Sequence, residues 1–279
     1  MRVKIIVDSS VDLAPELRQR ATVVPLCVRF GDREYQDGVT ITPDVFYKML
    51  AQSQELPTTS QPTPAAFEDA YREAVEAGYE VLCITIASKL SGTYQSATIA
   101  AEEFPGKVFV LDSRTAAIAS GVLAAYAIQL ADQGMGAEEI LHVLMEKRKQ
   151  VRLYAMVDTL EYLKKGGRLN SAVAVVGGLL NIKPVITLNE AGEIQVAGTA
   201  RGMKKAFSLL NQACAENGGI DDTMPAMLGY TGQSDENLHK YREESMEIWN
   251  PETPETVVCS VIGVHAGPGA VAIAFFCKE

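Results

Sequence analysis

The run Val81-Leu82-Cys83-Ile84-Thr85-Ile86, followed shortly by Leu90-Ser91-Gly92-Thr93-Tyr94-Gln95-Ser96-Ala97, decides how this chain folds. The apolar run predicts a buried strand, and Tyr94 to Glu103 predicts a helix. A strand that turns through Ser-Gly-Thr into a helix presents unpaired amides beside two hydroxyls, a geometry suited to an anion. Ordinary N-capping by Ser and Thr accounts for the same residues. A second hydroxyl-rich segment, Thr58-Thr59-Ser60-Gln61-Pro62-Thr63, precedes another helix-like run from Pro64, so two helix starts are candidates to serve one ligand.

The same alternation recurs on either side: Lys4–Val7 then Leu13–Arg20, and Val108–Leu111 then Ala116–Gln133. Strands alternating with helices imply a parallel sheet covered on both faces. Asp8-Ser9-Ser10 and Asp112-Ser113 directly follow two of the strands, at the carboxyl edge where ligands of open α/β sheets gather. Each pair reads equally as a helix cap. Between these units, Thr22 to Tyr35 predicts two strands meeting at Gly31-Asp32, and Thr42 to Gln52 a helix.

The second half has another rhythm. Glu138 to Gln150 predicts a helix, acidic early and basic late as the helix dipole favours. Leu153–Val157 predicts a strand, and Asp158 to Lys165 a helix stopping at Gly166-Gly167. Lys183–Leu188 and Ile194–Thr199 flank Asn189-Glu190-Ala191-Gly192-Glu193, a hairpin signal. Met203–Glu216, Met227–Tyr230, Asn237–Trp249, Val257–Ile262 and Val271–Cys277 complete a mixture of helices and antiparallel strands, with Val257–Ile262 among the strands. The expected organisation is an α/β domain over residues 1–155 and an α+β domain over 156–279, with the boundary between 150 and 158.

Composition narrows the function. A chain of 279 residues with 47% apolar residues can build two packed units that share a cleft. A formal charge of −10 argues against a nucleic-acid backbone or an anionic membrane as main partner. The N-terminal Val3-Lys4-Ile5-Ile6-Val7-Asp8 is too short for a signal-peptide core and reads as a strand. Ala116 to Ala131, broken by Ser120, Gly121 and Gln129, reads as a buried helix short of the roughly 20 residues a span needs. Cys27, Cys83, Cys214, Cys259 and Cys277 form no CxxC pair, and read as reduced core thiols of a cytoplasmic protein.

No metal-binding spacing, P-loop, GxGxxG or GxSxG appears. Of three histidines, His142 lies in a helical stretch and His239 in a charged one. His265 stands in Gly263-Val264-His265-Ala266-Gly267-Pro268-Gly269-Ala270, read as a glycine-rich turn between two strands where backbone can approach a ligand. Lys164-Lys165-Gly166-Gly167-Arg168 is either a helix end with dipole-complementing lysines or, with Arg201 of Thr199-Ala200-Arg201-Gly202, a local positive patch.

Taken in order, six motifs resemble those of the DegV family of bacterial fatty-acid-binding proteins over the whole chain. They are Asp8-Ser9-Ser10-Val11-Asp12-Leu13, Thr59-Ser60-Gln61-Pro62-Thr63, the Leu90 to Ala97 segment, Tyr162 to Arg168, Ile182-Lys183-Pro184 and Gly263 to Gly269. The resemblance implies a long-chain fatty acid buried between the two domains, its carboxylate on Thr59 and Ser91 with Ser60, Gly92 and His265 nearby. It implies no catalysis, cofactor or metal. It implies instead presentation of the acid to an ATP-dependent fatty-acid kinase, forming an acyl phosphate for phospholipid synthesis, with Arg168 and Arg201 as kinase contacts. A monomer, with no nucleic-acid partner and no stable membrane insertion, is expected.

Two other functions use the same residues. Ser91 as nucleophile with His265 as base would make a serine hydrolase or acyltransferase, although no acidic residue is evidently placed to orient the histidine. A small polar anion could occupy the same loops. Burial of a carboxylate demands partners, which the two hydroxyls, the Gly92 amide, a helix N-terminus and a protonated His265 are candidates to supply. Ala172 to Leu180 and Ala116 to Ala125 are candidates for an acyl tunnel or for plain core.

Overall fold

The computed structural model describes residues 2–169, 181–216 and 218–278. Its first sheet is parallel, in the order β2-β1-β6-β7: β1 (Arg2–Asp8), β2 (Ala21–Val24), β6 (Tyr79–Thr85) and β7 (Val108–Asp112). Period-two alternation sends Ile5, Val7, Leu82 and Ile84 to one face and Ile6, Val81 and Cys83 to the other. The second set packs under α2 (Pro64–Glu76) and α3 (Thr93–Ala101) through Phe67, Tyr71, Ala97 and Ala100. The first set packs under α4 (Ala117–Asp132) and α5 (Ala137–Lys147).

The second sheet has six strands in the order β10-β9-β8-β13-β11-β12, antiparallel except for the β11–β12 pair. These are β8 (Val151–Met156), β9 (Ile182–Leu188), β10 (Ile194–Arg201), β11 (Ala226–Tyr230), β12 (Glu255–Val257) and β13 (Val271–Phe276). Its outer face carries α7 (Met203–Glu216) and α8 (Glu236–Glu244), closing a core of Phe207, Leu210, Tyr241, Trp249, Ile273 and Phe275. Its inner face meets α4, which therefore touches both sheets. A helix enclosed on all sides must be apolar all round and narrow, which explains the alanine-rich sequence. Gly121 has no room for a side chain, since a Cβ there would run into the Asp12 carbonyl.

A third sheet, β4-β3-β5, is small and antiparallel: β3 (Cys27–Phe30), β4 (Arg33–Gln36) and β5 (Thr58–Ser60). With α1 (Pro43–Gln52) and α9 (Ser260–Ala266) it forms a separate apolar cluster around Val28, Phe46, Tyr47 and Val264. The short α6 (Glu161–Lys165) ends at Gly166 and Gly167, the latter at φ +70.

Several elements depart from the sequence-based expectation. Thr22 to Tyr35 divides into three strands, because Pro25 lies between β2, which joins the parallel sheet, and β3. Thr58 to Ser60 is a strand paired with β3. Leu13 to Arg20 contains only a 3₁₀ turn at Pro15–Arg20, and α8 ends at Glu244, five residues before Trp249. Val257–Ile262 is not a strand: the chain leaves β12 at Val257 and starts α9 at Ser260, so His265 sits in the last turn of a helix.

Candidate functional site

Between the two main sheets, at the carboxyl edge of the parallel one, lies a cavity of about 310 Å³, within the ~300–1,000 Å³ usual for small-molecule sites. The antiparallel sheet lines it through Leu153, Ala155, Ile186, Leu188, Ile194 and Ala272, the loop after β6 through Ile86 and Leu90. Hairpin β9–β10 reaches back over the loops that follow β6 and β7. At its tip Gly192, at φ +83, presses on Ala87 and Arg114, where a Cβ would meet the Ala87 methyl at 2.9 Å.

The polar residues of this wall are linked. His265 Nε2 lies 3.0 Å from Thr59 Oγ1. Gln61 Nε2 donates to Gly92 O (3.2 Å) and to Ser96 Oγ (2.9 Å), tying β5 to the start of α3. A Cβ at Gly92 would lie 2.8 Å from the Gln61 amide carbon, so a side chain there would displace the Gln61 amide. Ser91 Oγ accepts the Thr93 amide (3.3 Å) and pairs with Thr93 Oγ1 (2.8 Å), so the same hydroxyl caps the turn and faces the cavity. Arg168 Nε donates to Leu90 O (3.1 Å) and Nη1 to Gly166 O (2.6 Å), and Arg168 also lines the cavity.

Thr59, Ser60, Ser91, Gly92 and His265 thus come to one cavity from three separate segments. Gln61, which the sequence does not single out although it lies within the Thr-Ser-Gln-Pro segment, joins this wall, as does Arg168, expected from sequence as a kinase contact rather than as cavity lining. Arg201 is exposed at the end of β10, outside the cavity lining. Only the start of α3 reaches the cavity: Thr63 caps α2 by accepting the Ala66 amide (3.3 Å), and neither lines it. Of α4, only Ala117 lines the cavity, beside Ala116. The suggested tunnel segment 172–180 lies outside the described residues.

Burial, and then the neighbouring Arg168 guanidinium, push the His265 pKa down to about 4. The imidazole is therefore neutral at pH 7, and the protonated form entertained from sequence is disfavoured. Its Nδ1 is buried without a hydrogen-bond partner. Among the described residues no carboxylate orients the ring, and Gly166 sits against Nδ1, where a Cβ would collide with it. Among the described residues, the hydroxyl, imidazole and orienting acid that a Ser-His-Asp catalyst requires are not brought together at His265.

Both Asp-Ser pairs serve the scaffold. Buried Asp8 accepts Ser10 N (2.9 Å) and the Ser10 hydroxyl through Oδ1, and Ile86 N (2.8 Å) through Oδ2. Asp112 accepts Ser88 N (3.1 Å), Ser88 Oγ (2.6 Å) and Arg114 N (3.0 Å). Together they fix the loop that delivers Ser91. Burial raises the Asp8 pKa to about 6 despite these bonds. The five cysteines are free thiols. Among the described residues no helix is long and apolar enough to cross a membrane, and no His, Cys, Asp and Glu group has the makings of a metal site.

The fold and site define an α/β protein whose two main sheets enclose a cavity with an apolar wall and a polar pole. The chain belongs to the DegV family: the family model described as an uncharacterised protein, DegV family, matches residues 2–278. A DegV domain-containing protein of Deinococcus radiodurans is 35% identical over 280 residues, 98% of each chain. Among solved structures, a fatty-acid-binding DegV family protein from Thermus thermophilus shares 36% identity at a TM-score of 0.89, with 100% of both chains covered. DegV of Bacillus subtilis, a fatty-acid-binding protein, shares 31% at 0.83, again over 100% of both chains.

Proposed function

We propose that the chain binds a long-chain fatty acid and presents its carboxylate to an ATP-dependent fatty-acid kinase. The observation that carries this reading is the convergence of Thr59, Ser91 and His265 on one wall of a largely apolar cavity. Each buried CH₂ contributes about 0.8 kcal/mol, on the order of 10 kcal/mol for a chain of roughly 16 carbons before ordering costs. The carboxylate would meet the Thr59 and Ser91 hydroxyls, with Ser60 and Gly92 beside them. Neutral His265 contributes a hydrogen bond and Arg168 the positive charge.

Phosphorylation would follow when a carboxylate oxygen attacks the γ-phosphorus of ATP bound to the kinase, breaking the bond to ADP and leaving an acyl phosphate for phospholipid synthesis. The protein itself supplies no nucleophile in that step. It acts as a cytoplasmic monomer, with exposed Arg201 and the guanidinium of Arg168 as kinase contacts. Organic extracts of the purified protein, analysed by mass spectrometry, should contain a long-chain acid at near one per chain. Extracts without it, together with no uptake of added acid, would overturn the proposal; an acyl adduct on Ser91 after incubation with activated esters would favour a hydrolase.

A further inference from the structure

Outside the cavity, a buried polar grouping lies under the first turn of α9. Asp12 Oδ1 accepts Cys259 N at 2.9 Å, while Asp37 accepts Ser260 N at 3.2 Å through Oδ1 and Val261 N at 3.3 Å through Oδ2. Three consecutive amides are thus held by two carboxylates from different parts of the chain, one after β1 and one after β4. Both are buried, at 7% and 2% exposure. Tyr47 of α1 donates to Val258 O at 3.0 Å, one residue before the same turn. Gly263, one turn on, has no lateral freedom: a Cβ there would stand 2.6 Å from the Tyr47 hydroxyl and 2.7 Å from the Phe46 ring.

The helix fixed in this way is seven residues long and carries His265 in its last turn, against Thr59. Over about 10 Å of helix, at ~1.5 Å per residue, a change of position at one end is a change at the other. Holding one short helix end on two buried carboxylates is costly, since each must be desolvated. Burial raises the pKa of both, and Asp12 Oδ2 has no partner.

We propose that Asp12 and Asp37 are positioning residues for His265: they fix α9 and thereby set the imidazole against Thr59 at the polar pole of the cavity. The consequence for fatty-acid affinity rests on the headgroup assignment proposed above, whereas the consequence for the imidazole does not. A carboxylate accepts two amides at once. An Asn at position 37 would turn its own NH₂ against one of those N–H groups, so helix and imidazole must shift.

The test records imidazole ¹⁵N–¹H spectra of lipid-stripped protein and palmitate affinity, side by side, for wild type, Asp37→Asn, Asp37→Glu and Asp12→Ala. Leu210→Ala, in the outer core of the second sheet, is the control for loss of stability alone. The Asp variants should move both His265 nitrogen resonances and weaken palmitate about tenfold, equivalent to about 1.4 kcal/mol. The control should lower Tm with both readouts at wild type. Folded Asp variants with wild-type His265 resonances would overturn the proposal. If Asp37→Asn does not fold, Asp37→Glu and Asp12→Ala decide by the same criterion. Resonances that move while palmitate affinity holds would uphold the positioning role and overturn the headgroup assignment.

Discussion

The two ends of α9 are both polar and both buried, and they behave oppositely. At its first turn the amides of Cys259, Ser260 and Val261 are taken up by Asp12 and Asp37. At its last turn His265 has one nitrogen on Thr59 and the other without a partner, at the wall of a cavity. Asp12 Oδ2 and Ser260 Oγ also lack partners, but neither residue lines that cavity. Polar groups that are satisfied internally fix a helix, whereas His265 keeps one nitrogen, Nδ1, unsatisfied against Gly166. Desolvation favours the neutral form at both ends, and so moves the pKa values in opposite directions, lowering that of the histidine and raising those of the aspartates.

The largest expected effect comes from removing the cavity's apolar character. Leu153→Asp places a carboxylate in the wall, where an unpaired buried charge costs several kcal/mol, and should abolish fatty-acid loading in lipid extracts while the protein remains folded by circular dichroism. Full loading of a folded variant would show that the acyl chain lies elsewhere.

Next come the polar groups. Thr59→Ala and Ser91→Ala each remove a hydrogen bond to a charged group, worth about 1.5–3 kcal/mol, so palmitate affinity by titration calorimetry should fall roughly one to two decades. Two variants with wild-type affinity would place the headgroup at another site. His265→Ala should act in the same direction.

Stability against pH sharpens the contrast between buried acid and buried base. Asp8 has its folded pKa raised from 3.8 to about 6, so the folded state binds the extra proton and this residue's contribution falls as pH rises between those values. His265 has its folded pKa lowered from 6.5 to about 4, so its contribution is present above 6.5 and is lost as pH falls toward 4. Urea unfolding from pH 4 to 7 should therefore show Asp8→Asn lifting the alkaline side relative to the acid side, and His265→Ala doing the reverse, each by a couple of kcal/mol. Parallel pH profiles for wild type and both variants would contradict the burial assigned to them.

The smallest effect is at the rim. Arg201→Ala should leave lipid content and stability within about 1 kcal/mol of wild type and lower acyl-phosphate formation a few-fold at low salt, less at high salt. Loss of lipid, or a wild-type kinase rate, would remove Arg201 from the docking surface.

The strand-turn-helix units, the buried alanine-rich helix and the hairpin around Asn189 were legible in the sequence because each is written in local periodicity and turn chemistry. Thr59 was legible within a hydroxyl-rich run ahead of a helix, and Ser91 and His265 as a hydroxyl and an imidazole near glycines. What was not legible depends on distant partners. Val257 to Ile262 is rich in β-branched residues and reads as a strand, yet Asp12 and Asp37, more than 200 residues away, draw its amides into a helix start. Asp37 carries no local sign of that task, and Thr58 to Ser60 becomes a strand only by pairing with β3.

The most direct test of the central claim is the ¹³C spectrum of carboxyl-labelled palmitate added to lipid-stripped protein. The account predicts one bound carboxyl resonance, distinct from free palmitate, that shifts in Thr59→Ala, Ser91→Ala and His265→Ala while Leu210→Ala leaves it in place. A bound resonance identical in all five proteins would mean that the carboxylate does not meet these residues.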